Sequence, residues 1–226
     1  MKNRLKSLAA PKTWEIKRKK HVWTMKCKGP HRIEQSIPVG TILKEYFKYA
    51  KTTKDAKNIV YRKGVFVNGR RINDICYGVG IMDVFEIPEL KEKYLMLINT
   101  RGKLCMVKTD IEFIISKITG KKTVKGKTQL NLFGGGNVIA EKDGFKTGDT
   151  LLLGLKDGKI KEHIRLAEGA VCMLLGGNHV EERGNIKGIH EEKLIITGED
   201  KKEFETLKRF VYVVGKEKSP INVCAK

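Results

Sequence analysis

Apolar residues recur with a helical period between residues 38 and 62. In PVGTILKEYFKYA, residues 38–50, the apolar side chains have the spacing of one helical face: Ile42, Leu43, Tyr46, Phe47 and Ala50. A second helix is predicted at about 53–62, where Thr52 and Asp55 have a loose capping-box spacing. Its inward positions are Ala56, Ile59 and Val60. The pattern therefore predicts a pair of helices.

The pattern changes from helix to strand at Gly64, a residue free to adopt the positive φ that ends helices. The following segment VFVNGRRI, residues 65–72, is typical of a two-residue hairpin around Asn68-Gly69. The predicted pairs are Val67 with Arg70, Phe66 with Arg71, and Val65 with Ile72. Both arginines then cluster near the turn, and a further strand is predicted near 81–87.

From Tyr94 onward the pattern indicates an all-β region of short strands separated by glycine-containing turns. The predicted turns are Asn99 to Lys103, Gly134 to Asn137, Lys142 to Asp149, and Asp157-Gly158. The last segment repeats the order of strand, glycine-rich turn and strand from residue 169, and further strands are predicted near 193–197 and 210–214. No convincing internal repeat is present.

Charge adds a class of partner to this picture of folded domains. The chain of 226 residues has 46 Lys and Arg against 26 Asp and Glu, a net charge of +20 that favours a polyanionic partner. The first 32 residues hold eleven basic side chains and one acid, Glu15. Such a segment buries too little to fold alone and is typical of an arm that binds nucleic acid, although a solvated lysine-rich tail is the alternative. Trp14, His21 and Trp23 within it either stack on bases or anchor the arm to its own protein.

Motifs for catalysis or metal binding are weak. GKKTVKGKTQL, residues 120–130, has one spacer residue too many for a phosphate-binding loop and leads into a strand pattern, so a basic loop between strands is predicted. Gly134-Gly135-Gly136 is interpreted as a tight turn, and Asp83 as a turn or strand-end acceptor rather than a catalytic acid. The five cysteines and five histidines have no metal-ligand spacing, so we expect reduced intracellular cysteines and neither metal nor cofactor.

Localisation is predicted from absent signals. No apolar run approaches the ~18 residues of a membrane span, and the N-terminus lacks the apolar core of a secretory signal. We therefore expect a cytoplasmic protein with neither a membrane nor a small-molecule substrate as partner.

Nucleic-acid binding is the strongest prediction from the residues themselves. Lysines lie between the apolar stripes of the helical pair, and further cations follow at the hairpin: Lys44, Lys48, Lys51, Lys54, Lys57, Arg62, Lys63, Arg70 and Arg71. On a rigid frame they would offer one face of phosphate partners, which positions a module without reading sequence. The alternative is a set of ordinary solvated faces.

Specific motifs extend this interpretation. The unit from TILKEYFKYAKTTKDAKNIVYRKGVFVNGRRI to YGVGIMDVFEIP resembles the alpha-L RNA-binding domain of ribosomal proteins, some transfer-RNA synthetases and pseudouridine synthases. LKSLAAPKTW, GPH, KGKTQLNL and FVYVVGKEKSP are similar, in the same order, to the archaeal and eukaryotic "e"-type family of small-subunit ribosomal protein four. The resemblance covers nearly the whole chain, and its length without a long C-terminal extension is archaeal-like.

The resemblance implies an α+β fold of four parts: a basic N-terminal extension (1–37), an alpha-L domain (38–93), a central β domain (94–168) and a KOW-type small barrel with a C-terminal tail (169–226). The barrel motif, a glycine-rich turn followed by a basic residue and glycine, is matched by Gly176-Gly177-Asn178 and Arg183-Gly184, whereas Glu181-Glu182 departs from it.

The resemblance also implies a non-catalytic ribosomal protein that binds small-subunit ribosomal RNA beside neighbouring ribosomal proteins. The implied RNA-binding residues are Lys6, Lys12, Lys17, Arg18, Lys19, Lys20, Lys26 and Lys28 in the arm, Lys44, Lys48, Lys51, Lys54, Lys57, Arg62, Lys63, Asn68, Arg70 and Arg71 in the alpha-L domain, and Gly177, Asn178 and Arg183 in the barrel. Two alternatives remain at this point: an RNA-modifying enzyme that uses an alpha-L domain, or a transcription or translation factor.

Overall fold

The computed structural model describes residues 4–124, 126–140, 144–198 and 202–215. They divide into two compact units: 4–97 with Lys103–Ile111, and Ile98–Gly102 with 112–215. The fold is mostly β with few helices. Within the described ranges, no helix is long and apolar enough to cross a membrane.

Two short α-helices lie in the described part of the first unit, besides 3-10 turns at Ser7–Ala9, Ile33–Gln35 and Pro88–Leu90. α1 (Val39–Thr41) continues as a π-helical turn (Ile42–Tyr46), and α2 (Thr53–Asn58) continues as a second one (Ile59–Lys63). The second predicted helix is confirmed. The first is too long by four residues, because the chain leaves the helix after Tyr46 and Lys48 adopts a φ of 57°, a left-handed value that a helix cannot continue through.

The strands of the first unit form one five-stranded sheet and two ribbons. They are β1 (Arg4–Lys6), β2 (Trp23–Met25), β3 (Ser36–Pro38), β4 (Val65–Val67), β5 (Arg70–Ile72), β6 (Gly78–Gly80), β7 (Val84–Ile87), β8 (Glu92–Ile98) and β9 (Leu104–Lys108). The sheet has the order β5-β4-β7-β8-β9, whereas β1 pairs with β2 and β3 pairs with β6. Since β8 and β9 extend this sheet, the unit continues past residue 93, where the sequence suggests a division.

The strand expected near 81–87 is confirmed as β7, but it begins at Val84, three residues later than predicted. Residues 81–83 form a turn between β6 and β7, with Met82 at a φ of 67°. The Asp83 carboxylate closes the turn by accepting the Gly80 N–H at 2.7 Å. The hairpin of β4 and β5 has the predicted register, with Val67 opposite Arg70 and Phe66 opposite Arg71.

The second unit consists of two five-stranded antiparallel sheets. Its strands are β10 (Phe113–Val124), β11 (Lys127–Leu132), β12 (Asn137–Ala140), β13 (Thr150–Gly154), β14 (Ile160–Ile164), β15 (Val171–Leu174), β16 (Arg183–Ile189), β17 (Lys193–Gly198), β18 (Glu203–Leu207) and β19 (Val211–Gly215). The orders are β12-β11-β10-β13-β14 and β18-β17-β16-β15-β19. The predicted strands near 193–197 and 210–214 are confirmed, whereas β18 was not predicted and β10 has 12 residues instead of a short run.

Alternation along the strands builds the core of the first of these sheets. One face of β10, β11, β12 and β13 buries aliphatic side chains in a single cluster: Ile118, Leu130, Leu132, Ala140, Leu151 and Leu153. The opposite positions of β11 and β12 hold uncharged polar side chains such as Gln129, Asn131 and Asn137, whereas those of β10 and β13 include Ile115 and Leu152, which are also buried. The expected tight turn at Gly134 to Gly136 is confirmed, since Gly134 and Gly135 have φ values of 89° and 76°.

Candidate nucleic-acid interface

The N-terminal segment packs on its own unit rather than extending as an arm. Trp14 is 1% exposed, and its indole N–H donates to the carbonyl oxygen of Ser36 at 2.7 Å. Between the two interpretations of this tryptophan, the structure favours the anchor. Trp23 differs, because it lies on β2 with 51% of its surface exposed.

The ribbon of β1 and β2 is seated closely on α1. Met25 of β2 occupies the space above Gly40, where a Cβ atom would come within 2.6 Å of the Met25 sulfur. A larger residue at position 40 would force the end of the Met25 side chain to move aside, since sulfur and carbon cannot approach so closely. The basic residues of the N-terminal segment are thereby held beside the helices.

The segment formed by α2 and its π-helical continuation begins at a capping box and ends at a glycine. The Thr52 hydroxyl accepts the Asp55 N–H at 3.1 Å, and the Asp55 carboxylate accepts the Thr52 N–H at 2.9 Å. These bonds complete the predicted capping box and lower the pKa of Asp55. Gly64 ends the helix with a φ of 75°, as expected. Lys54, Lys57 and Arg62 are all exposed between these ends.

The hairpin turn is held by a hydrogen bond from Asn68 to the buried Asp83 carboxylate. Asn68 and Gly69 have φ values of 52° and 73°, as a two-residue hairpin turn requires. The Asn68 amide donates to Asp83 Oδ1 at 2.7 Å and accepts the Val84 N–H at 2.9 Å. Asp83 also lies 2.8 Å from His31 Nε2. Its expected role as a turn acceptor is confirmed by the bond that it accepts from the Gly80 N–H. The Asn68 side chain is therefore committed to the fold.

Five of the predicted RNA-binding side chains have partners within the first unit. They are Asn68, Arg18, Lys28, Lys63 and Arg71. The Arg18 guanidinium donates to the carbonyl oxygens of Ser7, Ala10 and Pro11, and Arg71 donates to the Tyr61 carbonyl oxygen at 3.1 Å. Asn68 is bonded to Asp83, Lys28 lies 3.5 Å from Asp74, and Lys63 lies 2.6 Å from Glu89. These side chains would have to exchange existing partners to bind phosphate.

The other predicted cations form no side-chain hydrogen bond or ion pair with another residue that the structure describes. They are Lys6, Lys12, Lys17, Lys19, Lys20, Lys26, Lys44, Lys48, Lys51, Lys54, Lys57, Arg62, Arg70 and Arg183. All except Lys44 and Arg183 are exposed. An exposed ammonium with no protein partner is available to a phosphate without first breaking a contact.

Three lysines from separate parts of the chain meet at one cleft. Lys17, Lys44 and Lys57 line a cavity of about 560 Å³ that we call the basic cleft, together with Trp23 and Tyr61. The sequence analysis did not find this convergence, nor did it identify Tyr61. The spacing of Thr53, Lys57 and Tyr61 by four residues along the helix is the signal that marks one face.

The glycine-rich turn after β15 has its acids engaged within the second unit. The Glu181 carboxylate accepts the Thr100 N–H at 2.6 Å, and the Glu182 carboxylate lies 3.0 Å from His179 Nδ1. Gly177 and Asn178 are exposed at this turn, Gly177 having a φ of 92°. At Gly184 a Cβ atom would lie 2.4 Å from the Thr197 carbonyl oxygen, so strand pairing itself requires glycine.

The motifs tested for chemistry have structural roles. GKKTVKGKTQL forms the hairpin of β10 and β11, without the helix a phosphate-binding loop needs; its Lys125 lies outside the described residues. Burial raises the pKa of the Cys27 thiol to about 11 and that of Cys172 to about 12, which keeps both protonated near neutral pH. Among the described residues, no group of three or more His, Cys, Asp or Glu could hold a metal ion.

Comparisons with known proteins connect this arrangement to one family. The profile of the "Ribosomal family S4e" matches residues 90–160, and that of the "RS4NT (NUC023) domain" matches residues 1–34. The chain is 38% identical over 229 residues to the "Small ribosomal subunit protein eS4" of Methanosphaera stadtmanae, covering 97% of this chain and 95% of the relative. The protein of that name from Methanocaldococcus jannaschii is 34% identical over 238 residues, covering 98% of each chain.

A solved structure gives the same result at the level of the fold. The crystal structure of the 30S ribosomal protein S4e from Thermoplasma acidophilum matches with a TM-score of 0.69 and 28% identity, over 80% of this chain and 96% of that one. The comparisons do not favour an RNA-modifying enzyme or a separate factor. With full-length identities above 30% to its archaeal relatives, this chain belongs to the family of small ribosomal subunit protein eS4.

Proposed function

We propose that this chain is a non-catalytic structural constituent of the small ribosomal subunit that binds ribosomal RNA through the first unit. The observation that carries the proposal is the set of exposed cations that have no side-chain partner among the described residues and lie on the N-terminal segment, on α2 and on β5. Phosphates would supply the missing counter-charges, and the released counterions would favour binding.

The four-part organisation implied by the resemblance forms part of this proposal. A basic extension (1–37) and an alpha-L domain (38–93) would carry most RNA contacts, and the order of helix, helix and hairpin supports the second of these. A central β domain (94–168) and a KOW-type barrel (169–226) would follow. The sheet from β15 to β19 and the exposed turn at Gly177 and Asn178 support a barrel contact with RNA, to which Arg183 would contribute.

The partners proposed are small-subunit ribosomal RNA and neighbouring proteins of the same subunit, on ribosomes in the cytoplasm. RNA recognition in this view depends on backbone charge and shape, because lysines that contact phosphates fix position without reading bases. The Glu181 and Glu182 carboxylates are held in position at the barrel turn by contacts within the protein, and their negative charge makes this turn a weaker phosphate contact than the first unit.

Cosedimentation tests the proposal directly. The tagged protein, expressed in an archaeal host, should migrate stoichiometrically with the small subunit on a sucrose gradient at moderate salt. Replacing Lys51, Lys54 and Lys57 by Gln should release part of it, whereas replacing the exposed Lys156, Lys159 and Lys161 of the second unit should not. A wild-type protein found mostly free of the subunit would overturn the proposal.

A further inference from the structure

The basic cleft combines charge with exposed aromatic surface. One side is formed by β1, β2 and residues 16–21, and the other by the face of α2 that carries Lys57 and Tyr61. Its volume of about 560 Å³ lies in the range of about 300–1,000 Å³ typical of ligand clefts. Every lining residue belongs to the first unit, so the cleft does not depend on the second.

The charge of the cleft favours an anion. Lys17, Lys44, Lys57 and Arg4 line it, and none of them forms a side-chain hydrogen bond or ion pair with other described residues. Of the two carboxylates that also line it, Asp74 is already engaged, since it accepts the Cys76 N–H at 2.9 Å and lies 3.5 Å from the Lys28 ammonium. The remaining Glu45 leaves an excess of positive charge.

The aromatic side chains favour a flat ligand. Trp23 is 51% exposed and Tyr61 is 58% exposed, although both are large enough to be buried in a core. The other tryptophan, Trp14, is 1% exposed. Exposed rings beside unpaired cations are the combination found where nucleic-acid bases stack, because every base has an aromatic face and a phosphate within reach of it.

We propose that the basic cleft binds one unpaired nucleotide of the RNA, with its base against Trp23 or Tyr61 and the adjoining phosphates on Lys17, Lys44 and Lys57. The inference rests on the proposed RNA-binding function and adds a preference to it. In a continuous A-form helix the base faces are covered by their neighbours, so only an extruded or single-stranded base can reach these rings. A surface made of lysines alone would not distinguish fully paired RNA from RNA with an unpaired base.

The test compares two RNA hairpins of identical stem, one with a single bulged adenosine and one fully paired. The full-length protein should bind the bulged hairpin roughly tenfold more tightly, the effect expected of one base stacked on an aromatic side chain. The bulged hairpin should also quench tryptophan fluorescence. Since Trp14 is buried, the quenched signal should disappear in Trp23→Phe.

Variants separate stacking from charge. Trp23→Ala and Tyr61→Ala should each reduce the preference for the bulge while binding to the paired hairpin is unchanged, and Trp23→Phe should retain most of it. Tyr49→Ala is the matched control, because Tyr49 is an aromatic residue of the same unit, 46% exposed, that does not line the cleft. Circular dichroism confirms that each variant is folded.

The outcomes distinguish this proposal from the proposed function. Equal binding of both hairpins by the wild type, unchanged in the variants, would overturn the nucleotide site and leave RNA binding intact. Binding of neither hairpin would overturn the proposed function as well. A phosphorylated acidic peptide that displaces the bulged hairpin and binds more tightly would overturn the nucleotide site in favour of a protein ligand.

Discussion

The Lys117 ammonium donates a hydrogen bond to the carbonyl oxygen of Val211 at 2.7 Å, linking β10 to β19 within the second unit. It also donates to the carbonyl oxygen of Lys208 at 2.7 Å. The side chain is only 9% exposed. Burial lowers the pKa of Lys117 to about 8, because the ammonium loses the water that would solvate it.

Lys117 should therefore make the stability of the second unit depend on pH. Above about pH 8 the folded chain loses this proton, whereas the unfolded chain keeps it up to about 10.5. Since the unfolded state then binds more protons, the free energy of unfolding should rise across this window, by about 1–3 kcal/mol. Urea unfolding at about pH 7, 8.5 and 10 measures it as the difference between wild type and Lys117→Met.

A second buried group, Cys172, also makes stability depend on pH, so the effect of Lys117 must be measured as the difference between wild type and Lys117→Met. Its thiol pKa is raised by burial to about 12, so above about pH 9 the unfolded chain loses a proton that the folded chain keeps, which lowers stability. Lys122→Met, at an exposed position of β10, is the matched control and should follow the wild type. The same pH dependence in wild type and Lys117→Met would contradict the prediction.

The Tyr212 hydroxyl also links β19 to β10. The hydroxyl donates to the Ile115 carbonyl oxygen at 2.7 Å and accepts the Lys117 N–H at 2.9 Å, and the residue is 1% exposed. Tyr212→Phe leaves two buried main-chain groups unsatisfied and should lower the free energy of unfolding by about 2–4 kcal/mol. Tyr61→Phe, which removes an exposed hydroxyl, should change it by less than ~0.5 kcal/mol in the same urea titration. Similar values for the two variants would show that the buried hydroxyl is dispensable.

Asn68 should act on the fold rather than on RNA. Asn68→Ala removes the bonds to Asp83 and to the Val84 N–H and places alanine at a φ of 52°, which together should cost about 2–4 kcal/mol. Asn68→Gly loses the same bonds without the backbone strain and should cost less. At a temperature where both variants are folded, filter binding should give unchanged affinity for ribosomal RNA. A large loss of affinity in a folded Asn68→Gly protein would instead support direct contact.

Local patterns predicted the elements whose causes are local. The capping box at Thr52, the end of the helix at Gly64 and the hairpin register around Asn68-Gly69 each depend on residues a few positions apart. The strand predicted near 81–87 begins only at Val84, because the Asp83 carboxylate accepts the Gly80 N–H and closes a turn that the surrounding apolar residues conceal.

Contacts distant in sequence could not be predicted. A charge count treats Arg18 as one more cation of an arm, yet its guanidinium is bonded to three carbonyl oxygens of its own segment. Likewise, nothing in the spacing of Lys17 and Lys57 indicates that both line one cleft, because the ribbon that brings them together pairs β1 with β2 across the connecting residues 7–22. The sequence could predict a basic surface, but not which of its cations remain free.

The two hairpin arginines should separate into different roles, although the sequence gives them equal weight. Arg70 is exposed and forms no side-chain hydrogen bond with other described residues, whereas Arg71 donates to the Tyr61 carbonyl oxygen in the last turn before Gly64. Arg70→Gln should reduce the slope of log affinity for ribosomal RNA against log salt by about one, with stability unchanged. Arg71→Gln should lower the free energy of unfolding by about 0.5–1.5 kcal/mol, because a cation that satisfies a carbonyl at a helix C-terminus is lost. Filter binding over a salt series and urea unfolding give both quantities for each variant. If Arg71→Gln changed only the salt slope and Arg70→Gln only the stability, the division of roles inferred from their hydrogen bonds would be wrong.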